Sequence, residues 1–176
     1  LMFGGSSKNE IALANVRHIL VSFEHGTEVS EDHDHSATGY TDEEKAAAKA
    51  LDVLSRNNDN GFFLMIESAG TDKYGHNGTI NGKLASVVTL DRTVAAALLF
   101  MEENPDTLLI ITSDHETGGM RIPEEGENLF TAMTLNEHTA TPVRVFAVGQ
   151  GAEYFKDKTV DNTDIAKFII NAIEGA

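Results

Sequence analysis

Two stretches of this chain end alike, and that likeness limits the fold more than any other feature. Phe62 to Ile66 is an apolar run that stops at Glu67, passes through small residues and reaches Asp72 and, four positions on, His76. Thr107 to Thr112, TLLIIT, is a second near-continuous apolar run, and it stops at Ser113, Asp114, His115, Glu116, Thr117, Gly118 and Gly119. Short apolar runs bounded by polar clusters read as buried strands, and open α/β sheets bind ligands beyond the carboxyl ends of their strands. Asp with His is a workable donor set for zinc. As neighbouring parallel strands, the two runs would place Glu67, Asp72 and His76 beside Asp114 and His115 along one edge.

Helical patterns flank these runs. Thr41 with Glu44 forms a capping box, AAAKALDVL supplies strong helix formers, and Asn57 to Gly61 ends that helix. A Gly- and Asn-rich turn after His76 leads to a long helix from about Lys83 to Glu103, stopped by Asn104 and Pro105. Its apolar stripe is Leu84, Val87, Val88, Ala95, Leu98 and Leu99. Upstream, Asn9 to Phe23 reads as a short helix or turn and then a strand from Ile19. Downstream lie a strand from Val143 to Val148 and an amphipathic helix from Asp161 to Glu174, with Asn162 or Thr163 as its cap. Helix, strand, long helix, strand predicts an α/β fold with parallel strands and covering helices, in a single domain over residues 1–176.

The formal charge of -15 argues against nucleic acid or an anionic membrane surface as partner. It permits an anionic substrate, because bound cations reverse the sign of an acidic site. The chain has no cysteine, so any zinc must be held by His and carboxylate. No run of 18 apolar residues exists, so no transmembrane segment is expected. Leu1 in place of an initiator Met, and LMF reading like mid-strand, lead us to expect a piece of a longer protein.

Catalytic zinc takes about three protein ligands and leaves a position open. Asp72, His76 and His138 can supply such a set, with Asp114 and His115 offering two ligands to a second metal. Two metals ~3.5–4 Å apart clamp the attacking and leaving oxygens of a phosphoryl or sulfuryl group. Glu67 suits a harder ion such as magnesium. Singly, each has an ordinary explanation: Asp72 or His76 as a cap or surface residue, His138 as a surface histidine. Together they weigh more, because all fall just beyond an apolar strand or before one. The denser run Asp32, His33, Asp34, His35 sits in an exposed acidic loop over 24–40, where nothing flanking it would fix ligands. His18 and His25 read as ordinary histidines.

The stretches GFFLMIESAGTDKYGH, LDRTVAAAL, TLLIITSDHETGG, HTATPVRVFAVGQGAE and DNTDIAKFI, in this order and spacing, resemble the C-terminal part of an alkaline phosphatase. They cover most of Thr41 to Ala176. The resemblance implies a three-layer α/β/α sandwich with a largely parallel central sheet, incomplete here. It implies hydrolysis of phosphate monoesters through a phosphoserine, with two zinc ions and one magnesium. It gives Asp72, His76 and His138 to the first zinc, which meets the leaving-group oxygen and activates water. Asp114 and His115 go to the second zinc, which activates the serine, and Glu67 to magnesium. It also suggests export to the periplasm or beyond and a homodimer.

The family's nucleophilic serine follows an Asp in an N-terminal segment that has no counterpart in this sequence. Ser68 lies one residue from the proposed magnesium ligand, in the wrong part of the pattern. No catalytic nucleophile is therefore assigned. The chain is expected to hold one complete zinc set, two ligands of the second and one magnesium ligand, and to be inactive alone. Another enzyme of the same superfamily, such as a phosphodiesterase, sulfatase or phosphomutase, and a non-catalytic metal-binding scaffold are the alternatives.

Overall fold

The computed structural model describes residues 18–23, 42–56, 61–121, 123–126, 128 and 135–174. The Asp32 to His35 run, His25, Thr41 of the capping box and the turn from Asn9 lie outside the described residues. Strand β1 (His18–Phe23) pairs in parallel with β2 (Phe63–Ser68), Ser22 opposite Glu67. A parallel pair needs a long crossover rather than a tight turn, and helix α1 (Asp42–Ser55) lies within it. Ala47, Leu51 and Leu54, spaced four and three apart, make its buried face.

Helix α2 (Gly70–His76) follows β2 almost at once, and α3 (Ile80–Glu103) follows α2. The expected apolar stripe of α3 is not its buried face. Leu84, Val87, Val88, Ala95, Leu98 and Leu99 are exposed, while Ile80, Gly82, Ser86, Thr89 and Thr93 are buried. The reason is close approach: small side chains let α1 and α2 lie against α3. The hydroxyls are satisfied there: Ser86 and Thr89 donate to the carbonyl four residues back, and the Thr93 hydroxyl lies 3.0 Å from the Thr89 carbonyl and 3.3 Å from Glu43 Oε1 of α1. By length and composition alone, α3 is also long and apolar enough to cross a membrane. Asp91 and Arg92 interrupt its middle, and it packs against α1 and α2.

Strand β3 (Leu108–Ile111) pairs antiparallel with β6 (Phe146–Gly149), and the short β4 (Glu116–Thr117) antiparallel with β5 (His138–Thr139). The expected adjacency of the two opening runs is therefore corrected: β2 pairs with β1, β3 pairs with β6, and among the described residues only β1 with β2 is parallel. No described helix separates β3 from β6. Between them the described chain passes through the β4–β5 ladder. A 3-10 turn (Ala152–Phe155) and helix α4 (Asn162–Glu174) close the chain, with Tyr154 stacked on Phe168 at 4.4 Å between ring centres. The cap of α4 is Asp161, not Asn162 or Thr163, because its carboxylate accepts from the Thr163 N–H at 2.9 Å.

Candidate metal centre

The segment after β2 is helical, so Asp72 and His76 stand four apart on one face of α2. Glycine brings α2 close to its neighbours. A Cβ on Gly75 would lie 2.8 Å from Thr117 Cγ2, and one on Gly82 would run into the Tyr74 ring. Thr117 of β4 thus sits against α2, and its ladder partner is His138 of β5. This ladder carries His138 to the other two residues across more than sixty positions of sequence.

Asp72 Oδ1, His76 Nε2 and His138 Nε2 form a small triangle. The two imidazole nitrogens are 3.0 Å apart, and Asp72 Oδ1 lies 3.4 Å from His76 and 3.2 Å from His138. A tetrahedral zinc with ligand bonds of about 2.0–2.1 Å has ligand-to-ligand edges of about 3.3 Å. The triangle is one face of such a tetrahedron, and its three side chains are only 38–47% exposed. His76 is oriented for it: Nδ1 lies 2.7 Å from the Asn136 carbonyl. A carbonyl only accepts, so Nδ1 carries a proton, and in the neutral ring this leaves Nε2 with a lone pair.

His115 adjoins this group, its ring stacked on His138 at 3.4 Å between centres and 23° between planes. Its Nε2 is 3.3 Å from Asp114 Oδ2. The second expected pair is therefore brought beside the first set. Glu67 is exposed near the end of β2, and, like Asp114 and His115, it is not among the three donors that converge within 4.8 Å. Ser68 turns its hydroxyl to Glu43 of α1 at 3.3 Å.

Sequence reasoning missed three supporting residues. Asn136 orients His76. Thr117 donates to Asp72 Oδ1 at 2.5 Å and lies 3.2 Å from His115 Nδ1. Glu116 accepts from the Gly119 and Met120 N–H groups and from Thr139 Oγ1 at 2.6 Å, tying the glycine turn to β5. The one signal was the unbroken polar run from Ser113 to Gly119, which marks a built turn without saying which member supports which.

Burial opposes the charge on Asp72, but the Thr117 hydrogen bond and the nearby His76, His138 and His115 outweigh it and hold the carboxyl below its ordinary value. Glu116 behaves alike: burial raises it, and the bonds from Thr139, Met120 and Gly119, with Lys83 nearby, lower it further.

The family profile described as alkaline phosphatase matches residues 9–136, a span that holds Glu67, Asp72, His76, Asp114 and His115 and stops short of His138. Alkaline phosphatase H of Pseudomonas aeruginosa is 33% identical over 137 residues, 67% of this chain and 28% of its own. Streptomycin-6-phosphate phosphatase of Streptomyces griseus is 32% identical over 60% of this chain and 28% of its own. The chain thus spans little more than a quarter of the length of these relatives. Among solved structures, a cold-active alkaline phosphatase from Shewanella sp. aligns with a TM-score of 0.69 over 76% of this chain and 50% of that one; at 24% identity it speaks for the fold alone. The enzyme of the Antarctic bacterium TAB5 aligns at 0.55 with 32% identity over 64% of this chain and 35% of its own, and a mutant of it is described with Mg bound in its M3 site.

Proposed function

This chain belongs to the alkaline phosphatase family, and from that premise we propose that the protein it represents hydrolyses phosphate monoesters at a centre built on Asp72, His76 and His138. The observation that carries the reading is the donor triangle of 3.0, 3.2 and 3.4 Å, one face of a zinc tetrahedron. These three residues would hold the first zinc, Asp114 and His115 would contribute to the second, and Glu67 would serve magnesium. When bound, such ions supply Lewis-acid charge to phosphoryl oxygens and lower the pKa of water.

The chain's own residues prepare the site. Asp72 stays ionised with the help of Thr117. His76 is held with its lone pair inward by Asn136. His138 has two ring neighbours, His76 at 4.9 Å and His115 at 3.4 Å, and three protein ligands on a tetrahedral zinc would leave one position for water or substrate. The serine that would carry the phosphoryl group is not assigned here, and the engaged hydroxyl of Ser68 supports leaving it out. The reading includes a largely parallel central sheet in the whole protein, a periplasmic or secreted location and a homodimer.

Zinc titration of this chain tests the metal assignment. Wild type should bind zinc, and His138→Ala should weaken it at least ~100-fold, beyond what loss of a supporting residue costs. Equal binding by both would reject the site and leave a bare scaffold.

A further inference from the structure

We infer that Thr117 is a positioning residue shared by the two ligand sets, one hydroxyl fixing both the Asp72 carboxylate and the proton-bearing nitrogen of His115. The inference rests on the metal reading above. Its core is proton accounting. Asp72 Oδ1 only accepts, so the 2.5 Å contact uses the hydroxyl proton of Thr117. That proton is then spent. The 3.2 Å contact to His115 Nδ1 must run the other way, with Nδ1–H donating to Oγ1. Held this way, neutral His115 carries its proton on Nδ1 and presents Nε2 as a donor atom for metal; Asp114 Oδ2, 3.3 Å from Nε2, is the acceptor that competes for this proton, so the tautomer is the quantity to measure.

Packing leaves the hydroxyl no freedom to do otherwise. Thr117 is 4% exposed. Its methyl fills the gap left by the missing side chain of Gly75, its carbonyl accepts from Lys83 Nζ, and its backbone is paired with His138. One residue thus touches α2, α3 and β5 while its oxygen stands between the two ligand sets. Oriented supporting groups fix the tautomer and direction of metal-binding imidazoles and carboxylates, and their loss lowers metal affinity about 10–100-fold. A group supporting both sets should lower both.

Thr117→Val and Thr117→Ser in the full chain test this. Imidazole nitrogen and carbon NMR of the metal-free protein at about pH 8, above the ordinary histidine range, reads the tautomer directly. Wild type and Thr117→Ser should show His115 protonated at Nδ1, and Thr117→Val should lose that preference. In competition titrations with zinc alone, Thr117→Val should bind about 10–100-fold more weakly, with Thr117→Ser within about threefold of wild type. Wild-type His115 protonated at Nε2, or a Thr117→Val variant with unchanged tautomer and unchanged zinc affinity, overturns the inference. Wild type that binds no zinc defeats the metal reading instead, and the tautomer still decides the role of Thr117. Should Thr117→Val fail to fold, the wild-type tautomer and the Thr117→Ser affinity decide.

Discussion

Asp72 shows how one side chain reaches its working state by competition. Partial burial disfavours its charge, and Thr117 with the surrounding histidines restores it. Glu116 reaches the same state through two backbone N–H groups and Thr139. Both carboxyls are held below their ordinary values, so each adds stability that is fully present above the unfolded value near ~4 and is lost as pH falls through the lower folded value. Urea midpoints should hold from neutral pH down to about 4 and then drop. In Glu116→Gln the drop should be shallower; an unchanged acid limb would remove Glu116 from the account. Gly75 is the other sensitive position. Gly75→Ala places a methyl 2.8 Å from Thr117 Cγ2, so zinc affinity should fall ~10-fold or more with far-UV circular dichroism little changed.

Among the elements, α3 gives the clearest contrast between pattern and packing. The sequence suggests a stripe of Leu and Val as its core face, yet the buried residues are Ile80 and a row of small and hydroxyl side chains. Ile80→Ala should cost about 2–5 kcal/mol of stability by denaturant unfolding. Leu99→Ala, at a position 65% exposed, should stay within about 0.5 kcal/mol. The reverse order would restore the stripe. The same contrast explains how much was legible. Apolar runs and helix-forming stretches announce β2, β3, α1 and α4, because burial and propensity act locally. Which strand pairs with which does not, since β3 with β6 and Thr117 with His138 are set by contacts distant in sequence. Asp72 and His76 could be seen as a pair from their spacing; Asn136 and Thr117, which orient imidazoles and the carboxylate, carry no spacing that marks them.

On the scale of the molecule, the centre joins two pieces of chain, α2 and the β4–β5 ladder, which meet through glycine contacts and one threonine. The chain spans 28% of its P. aeruginosa relative, while Leu99, Phe146, Val88 and Ile170 are at least half exposed. We predict that this chain supplied with zinc and magnesium gives no phosphomonoester turnover above background; vigorous turnover would mean that a nucleophile among its own residues had been overlooked. The central claim is narrower and is tested by X-ray absorption on the chain loaded with one equivalent of zinc. The account predicts a four-coordinate ion with two imidazole nitrogens and carboxylate or water oxygens at about 2.0–2.2 Å, losing one imidazole in His138→Ala. A zinc shell of oxygens alone, or one indifferent to His138, would contradict it.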